Sequence, residues 1–208
     1  MDAVSVVVVV VLAVVSYFLG CCNSALILSK YIMHDDVRNH GSGNAGLTNF
    51  YRTFGKKKVA FVILGDLLKA IISVLLGGAL FSAVGLNPVV GKLVGGIFCM
   101  LGHSFPCMFG FRGGKGVLCG AGVILMMDWR IALICLGIFL VLVASTKMVS
   151  LGSMVAAISF PIMCWTIYRD ALVVVLACVA SVLIVWRHRE NAKRIVEGKE
   201  NKFEFKKD

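Results

Sequence analysis

The sequence has no polar stretch long enough to fold as a soluble domain; its only extended hydrophilic segment is the tail of residues 187–208. Charge is scarce at 15% of residues, and acidic charge scarcer still, with 11 Asp and Glu against 21 Lys and Arg. Cys21, Cys22, Cys99, Cys107, Cys119, Cys135, Cys164 and Cys178 show no C-x-x-C spacing and lie mostly inside apolar runs, which assigns them to packing rather than to metal binding. A Walker loop is also missing: Gly110 and Lys115 come close to G-x-x-x-x-G-K-[ST], but Gly116 stands where the magnesium-binding hydroxyl is needed. There is no internal repeat, no pair of broken helices with the inverted symmetry of a transporter, and no Ser-His-Asp order.

What is present is apolar. Hydrophobic residues make up 59% of the chain, in runs at about 3–30, 58–84, 89–110, 117–127, 130–146, 149–167 and 171–186, most near the roughly 20 residues that a bilayer crossing needs. These define an all-α integral membrane protein, a single domain over 1–208 with about seven transmembrane helices. Five is the alternative, if 113–146 forms a re-entrant pair, and 117–127 is a full crossing only if the glycines before it are helical. The first run is too long for a signal peptide and lacks a basic start, so it is read as a retained membrane helix.

The Lys and Arg distribution sets the orientation. With the amino terminus outside, one face collects Lys30, Arg38, Arg52, Lys56, Lys57, Lys58, Arg112, Lys115, Lys147 and the tail from Arg187 to Lys207, against Lys92, Arg130 and Arg169 opposite. The richer face, with the carboxyl terminus, is therefore cytoplasmic. The same rule accounts for the net charge of +10 without a nucleic-acid partner.

Every unusual polar stretch falls on that cytoplasmic side, and four such clusters suffice to build one site. In GSGNAGLTNFYR, Gly41, Gly43 and Gly46 permit close backbone approach, Ser42, Asn44, Thr48 and Asn49 offer uncharged hydrogen bonds, and Arg52 offers a fork for phosphate or carboxylate. A solvated turn is the plain alternative. In FRGGKG, Gly113 and Gly114 are expected to present bare amides just before a helix, with Lys115 in its first turn: an anion loop with no nucleotide implied. His103 either braces that loop or does chemistry. Arg187, His188, Arg189, Glu190 and Asn191 end the last crossing; the basic residues make an ordinary helix stop, but Glu190 and Asn191 exceed what a stop requires. Asp66 and Lys69 share a helical face and can pair as a tether, and Ser150 either donates to a phosphate or caps its helix, the default for a lone serine.

GSGNAGLTNFYR, GHSFPCMFGFRGGKGV and HRENAKRIVEGKENKF together resemble the three signature blocks of the bacterial acyl-phosphate-dependent glycerol-3-phosphate acyltransferase family. The Asp66/Lys69 pair and the segment around Ser150 extend the resemblance to nearly the whole chain. It implies a seven-helix, cofactor-free and metal-free inner-membrane enzyme, working at the cytoplasmic face. The implied reaction moves a fatty acyl group from acyl phosphate to the 1-hydroxyl of glycerol 3-phosphate, giving lysophosphatidic acid and phosphate. By position, Ser42, Arg52, Lys115 and Asn191 match catalytic and glycerol-phosphate-contacting groups. His188, Glu190 and Ser150 match supporting polar positions, and Gly113 and Gly114 match the loop holding the donor's phosphate. Membrane lipids and the soluble enzyme that makes acyl phosphate are the implied partners. Leu47, Leu118 and Cys119 depart from the family's smaller or more polar residues. A membrane transporter of phosphate esters or other anions is the rival from another class; it predicts polar groups near the midplane rather than at one face.

Since phosphate is a good leaving group, positioning and charge stabilisation suffice for this reaction. His188 is a candidate base, but Arg187 and Arg189 beside it oppose an imidazolium; the donor's own phosphate is the other candidate acceptor.

Overall fold

A computed structural model of the protein describes residues 2–203; Lys207, counted above in the basic tail, lies outside them. The described residues are helical, without strands. The chain divides into two compact units, Met1–Met126 and Met127–Asp208.

In the first unit, α1 (Ala3–Cys21) starts where the Asp2 side chain accepts from the Ser5 amide. Asn23 then interrupts the apolar run and caps the short α2 (Ser24–Ile27), which runs on into a π turn, Leu28–Ile32. A 3-10 turn (Val37–Asn39) leads to α3 (Leu47–Phe54). The membrane helices α4 (Val59–Ala83) and α5 (Pro88–Ser104) follow, with Asn87 as the cap of α5 and Pro88 in its first turn, where a proline's missing N–H costs nothing. A 3-10 turn (Cys107–Phe109) and an irregular stretch at 112–116 precede α6 (Val117–Met127).

Helices α1, α4 and α5 pack through small residues. A Cβ on Gly91 of α5 would collide with the Gly77 carbonyl and the Phe81 ring of α4. In lipid, where apolar burial gives helices little reason to associate, such close approach is what makes van der Waals packing effective.

In the second unit, α7 (Trp129–Thr146) is capped by Asp128 and α9 (Ala171–Arg187) by Asp170, with α8 (Val149–Tyr168) between them. The Arg130 guanidinium beside Asp128 lowers that carboxyl to about 2. After a 57° bend comes α10 (Arg189–Val196). The tail returns to the turn between α7 and α8, where the Phe203 amide donates to the Lys147 carbonyl.

The helices fall where the apolar runs predicted them. Among the described residues, five helices have the length and composition to span, or six if the bent α9–α10 pair counts as one. Helix α6 has 11 residues, about 16 Å at the standard rise, against a hydrocarbon core of about 30 Å. The glycine-rich approach does not lengthen α6, because 112–116 is not helical and Gly116 takes a left-handed φ of 77°.

Candidate active site

The first unit holds two of the sequence-predicted polar loops, and its structure shows how each is shaped. Asn49, 2% exposed, ties the first loop together. Its Nδ2 donates to the Val37 and His40 carbonyls at 2.9 and 3.0 Å, and its Oδ1 accepts from the Ser42 amide at 3.0 Å. Gly41 has φ 55°, and a Cβ there would strike the same Oδ1. Asn49 thus folds the loop, while Ser42 is exposed at its surface with Gly41 and Gly43. Asn44 and Thr48 are half-buried, as is Arg52 in the last turn of α3.

The second loop departs from expectation. The amides of Gly113 and Gly114 are not bare: they donate to the Ser104 and His103 carbonyls, both at 3.1 Å. They stitch the loop to the end of α5, where unsatisfied carbonyls need donors. Both glycines are buried, and a Cβ on Gly114 would meet the His103 ring and lie 2.7 Å from the Ala45 carbonyl. The need for glycine here comes from close packing of the two loops, not from an anion nest. Lys115 also stands two residues before α6 rather than in its first turn, since the left-handed Gly116 delays the helix.

Beneath both loops lies a buried polar network. Lys69 Nζ is 2.8 Å from Asp66 Oδ1 and 3.0 Å from His103 Nδ1, and it donates to the Gly20 and Cys22 carbonyls, each at 3.0 Å. Asn23 Nδ2 donates to the Ala45 carbonyl at 3.1 Å, and Cys119 Sγ to the Asp66 carbonyl at 3.6 Å. The expected Asp66–Lys69 tether is present, and His103 is placed as a brace under Gly114. Asp66, His103 and Cys119 bring donor atoms within 4.8 Å of one another. The Lys69 ammonium already sits against two of those three, so the cluster is neutralised without an added cation. Cys119 belongs to this layer, behind the loop.

In the second unit the polar groups gather on a residue that sequence reasoning passed over. Glu200 Oε1 accepts from Ser150 Oγ at 2.7 Å and from Asn191 Nδ2 at 2.6 Å, and Oε2 accepts from Arg194 Nε at 2.9 Å. Burial raises the Glu200 carboxyl, but these donors outweigh it and hold it below the usual range. Ser150 therefore does not cap α8, which has no side-chain cap. His188 is 3% exposed, with Nδ1 2.8 Å from the Ile184 carbonyl. A carbonyl only accepts, so Nδ1 carries a proton and Nε2 is the basic nitrogen of the neutral ring. Glu190 is exposed, 3.7 Å from Arg189, and does not join the Glu200 contacts.

Asn23 and Glu200 had faint signals: an asparagine interrupting an apolar run, and an acid inside the third block. Their roles depend on partners 22 to 80 residues away for Asn23 and 50 residues away for Glu200.

The family model described as glycerol-3-phosphate acyltransferase matches residues 10–198. A glycerol-3-phosphate acyltransferase of Clostridioides difficile (strain 630) is 40% identical over 200 residues, covering 96% of this chain and 97% of the relative. One from Neisseria meningitidis serogroup B (strain ATCC BAA-335 / MC58) is 38% identical over 189 residues, 90% and 94% of the two chains. Among solved structures, the glycerol 3-phosphate form of PlsY (YgiH), an integral membrane glycerol 3-phosphate acyltransferase, superposes with a TM-score of 0.85 at 33% identity, covering 94% of this chain and 96% of that one. Its lysphosphatidic acid form gives 0.82 at 31%, covering 95% and 96%.

Proposed function

The chain belongs to the glycerol-3-phosphate acyltransferase family and is an integral membrane acyltransferase, and from that premise we propose that its acyl donor is an acyl phosphate and its product lysophosphatidic acid. The 1-hydroxyl oxygen of glycerol 3-phosphate attacks the acyl carbonyl carbon. The bond from that carbon to the phosphate oxygen breaks, inorganic phosphate leaves, and the hydroxyl proton passes to the departing phosphate or to His188 Nε2.

The observation that carries this reading is the match over residues 10–198, which takes in the first two polar blocks and the third as far as Gly198. Arg52 and Lys115 neutralise the two phosphates, and Ser42, held outward by Asn49, donates to the reacting groups. Gly41, Gly43, Asn44 and Thr48 shape the approach beside it. Asn191, which donates one Nδ2 hydrogen to Glu200, orients the attacking hydroxyl or the reacting carbonyl. Gly113, Gly114 and His103 act by shape, setting the backbone from which Lys115 projects. An activated donor asks only for such positioning and charge stabilisation.

The enzyme works at the cytoplasmic face of the bacterial inner membrane, amino terminus outside. There glycerol 3-phosphate is dissolved and a soluble enzyme delivers acyl phosphate. Purified protein given palmitoyl phosphate and labelled glycerol 3-phosphate should form labelled lysophosphatidic acid. Product from palmitoyl-CoA but not from palmitoyl phosphate would refute the donor, and uptake of label into liposomes without product would favour a transporter.

A further inference from the structure

The strongest unassigned feature is the grip of Arg38 on the backbone ahead of Lys115. Arg38 Nη1 donates to the Phe109 carbonyl at 2.7 Å and to the Arg112 carbonyl at 3.1 Å. The rest of the guanidinium is committed to Asp36, with Nε 3.0 and 3.2 Å from its two oxygens and Nη2 2.8 Å from Oδ2. Asp36 is fixed in turn: its Oδ1 accepts from the Arg38 amide at 3.0 Å, and Lys30 Nζ lies 3.3 Å from Oδ2. Both side chains of the pair are only 18% exposed, unlike the solvated pairs whose contribution is small.

The gripped segment needs holding. Between the two carbonyls lie Gly110 and Phe111, with φ of 67° and 58°. Two successive left-handed residues make a sharp corner, and for Phe111 that conformation is strained. The corner aims the Phe109 and Arg112 carbonyls at one guanidinium, whose planar fork reaches both while still pairing with a carboxylate. On the far side, the Gly113 and Gly114 amides are fastened to the end of α5. Residues 112–114 are thus held from two directions, and Lys115 is the next residue.

We infer that Arg38, held by Asp36, is a positioning residue: it fixes the corner at 109–112 so that Lys115 meets the donor's phosphate in register. This rests on the reading of Lys115 given above. Displacement of a catalytic group by about 1 Å costs on the order of 10²-fold in rate, which sets the scale of the effect.

The test compares wild type with Arg38→Lys, Arg38→Gln, Asp36→Asn and the double variant Asp36→Asn/Arg38→Gln. Each is assayed for kcat and for KM toward palmitoyl phosphate and glycerol 3-phosphate, alongside thermal unfolding. Arg38→Gln should lose on the order of 10²-fold in kcat/KM for palmitoyl phosphate. Arg38→Lys, which keeps the charge and hence the fold but lacks the fork, should recover only a small part. Asp36→Asn should lose less, and the double variant should match Arg38→Gln alone, because the residues act as one unit. Wild-type kinetics in Arg38→Lys, or additive losses in the double variant, overturn the inference. An inactive Lys115→Ala beside a fully active Arg38→Lys refutes the role of Arg38 alone; full activity in Lys115→Ala refutes the reading of the loop and this inference with it.

Discussion

At the scale of single residues, similar side chains divide into those that fold a loop and those that face substrate. Asn49 and Ser42 belong to one motif, yet Asn49 is consumed by backbone hydrogen bonds while Ser42 is exposed. Lys115→Ala should cut turnover by about 10²- to 10³-fold, as loss of an electrostatic stabiliser does, with little change in the melting temperature; a normal turnover number would remove its role. Glu200 makes a pH prediction. Its carboxyl is held below the ordinary range, so its contribution to stability is complete above the unfolded-state value, about 4.3, and disappears as pH falls through the lower folded value. Melting temperatures of wild type and Glu200→Gln should therefore differ most above about pH 5 and converge as the medium becomes more acidic. The motifs were legible as patterns of polar residues. Which member of each pattern faces inward was not, because that depends on partners brought from elsewhere in the chain.

At the scale of elements, the sequence was an accurate guide to where helices lie and a poorer one to what holds them together. Apolar runs and the capping residues Asp2, Asn87, Asp128 and Asp170 are local signals. The close contact of α4 with α5 is not local. Gly91→Ala should destabilise by about 1–3 kcal/mol, the usual cost of overpacking. Gly137→Ala, whose Cβ would meet nothing within 4 Å, should be neutral in the same melting experiment. The Asp66–Lys69 pair was visible as a spacing of three, and its attachment to the Gly20 and Cys22 carbonyls makes it a joint between α4 and the end of α1. Asp66→Asn should cost about 3–5 kcal/mol by stranding a buried ammonium. Asp66→Asn/Lys69→Met should be less damaging than Asp66→Asn alone, and a thermal melt of the pair of variants decides it.

At the scale of the whole molecule, the chain leaves a broad apolar surface to lipid: Val4, Val7, Val10, Phe61, Leu64 and Leu68 in the first unit, and Leu133, Leu140 and Val182 in the second, are each about half exposed or more. Lipid replaces water there, so these side chains need no protein cover. The charge asymmetry of the loops predicts their sidedness. In a variant whose eight native cysteines are replaced, a cysteine introduced at Ser42 should react with an impermeant maleimide only in inside-out vesicles, and one at Asn87 only in right-side-out vesicles; the reverse pattern would invert the orientation.

The sequence by itself determined the membrane class, the helix positions, the family and the residue types of the three polar blocks, because hydropathy, caps and motif order are written along the chain. Only the tertiary structure decided that Gly113 and Gly114 spend their amides on α5, that Asn49 and His103 brace the loops, and that Ser150 and Asn191 share Glu200. A hydrogen bond needs an acceptor as well as a donor, and in each of these cases the folded path of the chain brought the two together.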